Sequence, residues 1–212
     1  MKNLFKTVAL VLISSSAFAS KNAMYEISLT NLTKGQPIAP AAIITHRGHF
    51  ELFKIGEKAS EGLMKLAEDG NSAVLKEEVL NKKSTQFLSL MGLTLPGQTS
   101  TIKLMANRYD KLTLGAMLAK TNDGFIAPLH SLPLKLRVGQ TLTRVLHVFD
   151  AGSERNNEMQ AYIPAFGNPG VRTDEAEGFV TFHPGLQGIG DLNYVDEAFA
   201  PQAAKLVIKR IQ

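Results

Sequence analysis

Thr141-Leu142-Thr143-Arg144-Val145-Leu146-His147-Val148-Phe149 is the stretch that decides the fold. Leu146 and Val148 share one parity and Val145 and His147 the other, the period of two that marks a β-strand. The strand runs straight into Phe149-Asp150-Ala151-Gly152-Ser153-Glu154. There, acidic side chains follow an apolar run, and a glycine permits a sharp turn. The preceding sequence repeats the arrangement: Leu112 to Leu118 is apolar up to Thr121-Asn122-Asp123-Gly124-Phe125. Between the two, Phe125 to Leu134 carries Pro128 and Pro133, which predicts an edge strand or an irregular segment.

Further out, Met24 to Leu32 alternates Tyr25, Ile27 and Leu29 against Glu26, Ser28 and Thr30. Short extended pieces are expected at Ala41–Ile44, Phe50–Ile55, Phe87–Leu95, Gln98–Met105, Gly178–Phe182 and Lys205–Ile211. Pro37 and Pro40 hold the chain near them out of helix. Ala59 to Glu68 is the one strong helix pattern, with Ser60 as cap, Leu63, Leu66 and Ala67 on one face, and Asp69-Gly70-Asn71 as the stop. Val74 to Leu80 adds a second short helical piece. Helices interrupt the strands and do not alternate with them, which weighs against a parallel α/β sheet. The expectation is an all-β, antiparallel β-sandwich with a short helical insertion after the first strands, one domain spanning residues 20–212. Asn156 to Ala176 reads as a long polar loop, a length usually tied to function or mobility.

Composition removes several function classes. Lys and Arg number 23 against 19 Asp and Glu, and Lys2 and Lys6 belong to a segment expected to be removed. So mild an excess, with no basic run interleaved with aromatics, gives no sign of nucleic-acid binding. The absence of cysteine excludes disulfides, thiolate zinc sites and cysteine nucleophiles. At the start of the chain, Lys2 and Lys6 precede the apolar run Val8–Ile13 and then Ser14-Ser15-Ser16-Ala17-Phe18-Ala19. That is the pattern of a secretory signal peptide cleaved after Ala19, and the run is too short to span a bilayer. The mature chain is expected to be secreted or periplasmic, without a membrane span, and a monomer.

Asp123, Asp150 and Glu154 are the candidate site residues. Carboxylates at strand ends point to a hard cation, with calcium first because it accepts oxygen from side chains and carbonyls. The competing reading makes Asn122-Asp123-Gly124 a plain hairpin turn with positive φ, and Ala151-Gly152-Ser153 a turn with solvated acids. An EF-hand loop is absent, as are H-E-x-x-H and G-x-S-x-G motifs. The five histidines lack metal-ligand spacing: His46 and His49 fall on opposite faces of an extended segment, and His130, His147 and His183 stand apart. Gly185-Leu186-Gln187-Gly188-Ile189-Gly190 follows a strand without opening a helix, so it reads as a tight loop and not as a phosphate loop.

Taken in order, several of these segments resemble the spondin N-terminal domain family in its bacterial form. The matching residues are Tyr25-Glu26-Ile27-Ser28-Leu29-Thr30-Asn31-Leu32-Thr33 with Gly35-Gln36-Pro37, Thr45-His46, Phe50-Glu51-Leu52-Phe53-Lys54-Ile55-Gly56 and Leu66-Ala67-Glu68-Asp69-Gly70. Thr121-Asn122-Asp123-Gly124-Phe125, Asp150-Ala151-Gly152-Ser153-Glu154, Gly178-Phe179-Val180 and His183-Pro184-Gly185 complete them. The resemblance implies a C2-like sandwich from secreted matrix and adhesion proteins, with calcium held at one end by Asp123, Asp150 and Glu154. The chain departs from animal members by carrying Glu154 where they have aspartate, Gly124 where they have tryptophan, and no cysteine.

Three functions follow as expectations. The first is a non-catalytic, calcium-stabilised adhesion module whose partner is an extracellular or cell-surface protein or polymer. The second is a metal-assisted hydrolase using the same acidic loops, with His183 as base. The third is an ion-free structural module. No nucleophile–base pair is legible in the sequence, which favours the first.

Overall fold

Why the central strand is apolar on both parities becomes clear once its neighbours are in place. The computed structural model describes residues 22–82, 85–173 and 175–212, so the expected signal peptide and its cleavage point near Ala19 lie outside the described residues. The strands are β1 (Asn22–Asn31), β2 (Ala42–His46), β3 (Thr85–Ser89), β4 (Thr99–Asn107) and β5 (Lys111–Met117). They continue with β6 (Gly124–Ala127), β7 (Leu132–Pro133), β8 (Thr141–Asp150), β9 (Thr181–Phe182) and β10 (Gln202–Arg210). Hydrogen-bonded neighbours follow the order β3-β2-β5-β6-β8-β10-β1-β4, with β7 beside β5 and β9 beside β8. All of these pairings are antiparallel.

The sheet curls so that its two halves face each other across one core. Tyr25, Ile27 and Leu29 of β1 and Leu206 and Ile208 of β10 meet Ile43 of β2 and Leu112 and Leu114 of β5 there. Ile126, Leu146 and Val148 join them. The opposite parity of β6 and β8, Phe125 and Phe149, faces a second core on the outer side of the sheet. Helices α1 (Glu61–Asp69) and α2 (Ala73–Leu80) cover it, contributing Leu63, Leu66, Leu75 and Val79. The end of β8 is therefore buried on both faces, whereas Thr141, Thr143 and Val145 keep an exposed side. A sheet covered on one half and solvated on the other is the all-β sandwich with a helical insertion that the alternation predicts.

Local chemistry sets the helices. Ser60 accepts the Leu63 N–H at 3.2 Å, and Gly70 closes α1 in the left-handed conformation. The third helix, α3 (Tyr194–Glu197), is a single turn capped by Asn193.

One expectation holds in part and another fails. Phe125 to Leu134 is not an edge, since β6 lies between β5 and β8, but past Ala127 it is irregular apart from the two-residue β7. Pro128 stands just past Ala127, where it removes no ladder hydrogen bond, and Pro133 ends the two-residue β7. Phe50 to Ile55 forms no strand. It is anchored instead by side chains, with Phe53 packed 4.5 Å from Phe149 and 5.3 Å from Phe125 between ring centroids. Two further segments pair over less of their length than expected, at Thr85–Ser89 and Thr181–Phe182.

Candidate metal centre

Antiparallel register brings the two acidic loops together. Gly124 of β6 stands opposite Asp150 of β8, and one residue further Ala151 donates its N–H to the Asp123 carbonyl at 3.2 Å. The loop before β6 is closed by Leu118, whose N–H reaches the Gly124 carbonyl at 2.9 Å. Within it, the Thr121 hydroxyl accepts the Gly124 N–H at 3.0 Å and donates to the Leu118 carbonyl at 2.8 Å. Asn122-Asp123-Gly124 does lie in the connection of the β5–β6 hairpin, but without the positive φ expected of it. Glu158 is the sole non-glycine residue with positive φ among the described residues, and Gly124 lies inside a strand.

The second loop folds back over the first. Asp150 accepts the Gly152 N–H through Oδ1 at 2.6 Å, and Gly152 adopts φ 65°. A Cβ at Gly152 would lie 2.3 Å from the Phe179 carbonyl oxygen, so glycine is required here on two counts. The turn delivers Ser153 and Glu154 to Asp123. Asp123 Oδ2 accepts the Ser153 N–H at 2.7 Å, the Ser153 hydroxyl at 3.1 Å and the Glu154 N–H at 3.0 Å. Asp123, Asp150 and Glu154 are all buried, at 0%, 0% and 1% exposure, so the solvated-acid reading fails.

Their remaining oxygens are unevenly satisfied. Asp150 Oδ2 accepts from the Asn156 side-chain amide. Asp123 Oδ1 and both carboxyl oxygens of Glu154 are buried without a hydrogen-bond partner. Burial pushes the Asp123 and Asp150 carboxyls above the usual range, and the Asp150 charge raises Asp123 further. Glu154 is pushed up to about 8, first by burial and then by the nearby charges of Glu68 and Asp123. The Thr173 backbone N–H and then the Arg172 charge offset this only in part.

The surroundings include residues with no local signal in the sequence. Glu68, buried on α1, meets Lys65 at 3.2 Å and Arg172 at 3.6 Å. Arg172 also donates to the Ser153 carbonyl at 2.8 Å. Glu158 accepts the Gln187 and Ile189 N–H groups while its own N–H reaches Asn122 Oδ1, so it ties the glycine-rich loop to the acidic one. His183 packs against Gly124, where a Cβ would lie 3.0 Å from its ring and 2.6 Å from the Thr121 hydroxyl. Its Nδ1 accepts the Gly185 N–H at 2.9 Å, and burial pulls its pKa down to about 4. The neutral ring therefore carries its proton on Nε2, which is buried and without a partner.

The donor set fits a hard cation in kind: it is all oxygen, anionic when ionised, buried and short of hydrogen-bond donors. As a cage it is incomplete, because no group of three or more His, Asp or Glu is arranged to hold a metal ion among the described residues. Asp123 and Asp150 lie close enough to act on each other, and Glu154 is acted on by the charges of Glu68 and Asp123. No known protein family matches the chain, and no curated protein matches it.

Proposed function

We propose that the chain is a calcium-binding, non-catalytic binding module of the spondin type, acting outside the cytoplasm on a cell-surface or extracellular protein or polymer. One observation carries this reading. Three unpartnered carboxyl oxygens are buried among like charges, at the junction of two loops that the strand register forces together. Buried carboxylates in that state are costly, and a divalent ion supplies what they lack: charge compensation and a partner for each orphan oxygen. Asp123, just before β6, and Asp150, at the end of the neighbouring β8, would hold the ion together with Glu154. The ion's role is mechanical: it pins the loops that form one end of the sandwich.

The hydrolase reading is less favoured, because the base expected for it is already engaged. His183 has its one acceptor nitrogen occupied by the Gly185 N–H. His46 and Ser131 do form a pair at 2.9 Å that the sequence did not reveal. The Ser131 hydroxyl, however, donates to the Phe50 carbonyl at 3.2 Å, so the histidine must be the donor to serine. That orientation is the reverse of general-base activation.

Calorimetric titration of calcium into the metal-free protein tests the site. Saturable binding at one ion per chain, lost in Asp123→Asn, is the expected result; no heat above dilution would reject it. Affinity capture from surface fractions, with calcium and with chelator, then tests the partner: retention only in calcium is expected. Equal retention in chelator would reject a calcium-set partner surface.

A further inference from the structure

We infer that the chain carries a second binding site, of opposite chemistry, for a small oxyanion group. Its place is the cavity of about 250 Å³ between the 48–53 and 128–131 segments. Strand β6 separates it from the acidic centre: Asp123 precedes the strand and Pro128 follows it. The cavity is lined by Lys111, Thr113, Ser131, His49, His130 and Glu51. Four of the six, Lys111, Thr113, His49 and His130, can donate a hydrogen bond to a bound anion, Ser131 having its proton on the Phe50 carbonyl, and the single acid, Glu51, has Lys54 4.0 Å away. Four of the chain's five histidines gather at this corner, because His46 bonds Ser131 and His147 lines an adjoining cavity with His130.

The wall is built and not merely a set of surface lysines. His46 is fully buried and fixes Ser131 at 2.9 Å, and Ser131 in turn fixes the 48–53 segment through the Phe50 carbonyl. Phe50 packs edge-on against the His46 ring, 5.2 Å between centroids, with the Lys82 ammonium 4.7 Å from its own centroid. Thr113 is buried at 3% exposure and stands on the floor strand β5 two residues from Lys111. A pocket with a cation, a hydroxyl-bearing floor and ring N–H groups fits phosphate, sulfate or carboxylate oxygens, through charge-assisted hydrogen bonds. The volume suits the anionic group of a ligand better than a drug-sized molecule.

The test uses the full chain and inorganic phosphate, at ionic strength held constant with chloride. Ring signals of His49 and His130 in a two-dimensional NMR spectrum should shift and saturate, while those of buried His183 stay fixed. Lys111 is exposed, so Lys111→Ala should leave the spectrum otherwise native and weaken phosphate binding about tenfold or more, the worth of one charged hydrogen bond. A parallel arm with a sulfated oligosaccharide separates two sources of the same chemistry: tighter binding than phosphate assigns the group to a polysaccharide chain, and equal or weaker binding to a free ion. Absence of a saturable shift with both probes, or an unchanged titration in Lys111→Ala, would overturn the proposal.

Discussion

Asp123 Oδ2 accepts the backbone N–H of Glu154 at 3.0 Å, so one proposed ligand is the cap that holds the loop carrying another. Structure and charge are thereby joined in a single side chain. Asp123 has one oxygen committed to three donors and one oxygen with none.

That division predicts opposite results from two substitutions. Asp123→Asn can keep the accepting oxygen and turn an amide toward Asp150, so metal-free stability should be unchanged or slightly higher. Calcium binding should be lost. Asp123→Ala strands the Ser153 and Glu154 donors and should cost about 2–4 kcal/mol in denaturant unfolding, with or without calcium. Equal destabilisation by both variants would mean that the carboxylate charge is itself needed for the fold.

A pH dependence follows from the raised carboxyls. Glu154 goes from an ordinary 4.5 to about 8, and Asp123 and Asp150 are raised alongside it. Groups raised in the folded state favour the protonated form there. Their stabilising contribution is present below pH 4.5 and lost as pH rises toward about 8. Melting temperature of metal-free protein should therefore fall between pH 6.5 and about 8, above the range in which the lowered pKa of His183 acts with the opposite sign, and saturating calcium should flatten the fall because the ion binds the ionised carboxylates. A metal-free melting temperature that climbs across the same window would contradict the burial of these charges.

Gly152 supplies a backbone test. Gly152→Ala adds both left-handed strain and overlap with the Phe179 carbonyl. Gly97, at φ 75° with nothing near its Cβ position, supplies the strain alone. Gly97→Ala should cost on the order of 1 kcal/mol, and Gly152→Ala should cost at least ~2 kcal/mol more. Chemical unfolding of both variants checks the difference, and equal costs would mean that the loop relaxes away from Phe179.

The His46–Ser131 pair gives a prediction about chemistry. With the Ser131 hydroxyl directed at the Phe50 carbonyl, an active-site-directed fluorophosphonate should not label the protein. Ser131→Ala should instead cost about 1–3 kcal/mol, by stranding that carbonyl and the His46 N–H. Labelling that disappears in His46→Ala would restore the hydrolase reading.

The alternation of β1 and β8, the Ser60 and Gly70 caps and the all-β class could be read from the sequence because each is a short-range pattern. The interior place of β6 could not. A proline one residue past a strand looks, in sequence, like a proline inside it. Phe50 to Ile55 has strand composition but finds side-chain partners and no strand to pair with. At the site, Asp123, Asp150 and Glu154 stood out because each follows an apolar run. Glu68, Arg172, Asn156 and Glu158 did not, since only tertiary packing brings a helix and the long polar loop over the acidic centre. The His46–Ser131 bond likewise spans 85 residues and has no local signal. Gly124 now has a reason: its missing side chain is where the His183 ring packs.

Thermal melting in saturating calcium and in chelator decides whether an ion occupies the acidic centre. An ion that binds only the folded chain adds about 2.7 kcal/mol at a hundredfold excess over its dissociation constant. For a domain of this size that is roughly a 5–10 °C rise in melting temperature. The wild type should show this rise, Asp150→Asn should lose it, and Glu57→Gln, which changes an exposed acid outside the acidic loops, should retain it. Identical wild-type melts in calcium and in chelator would contradict it.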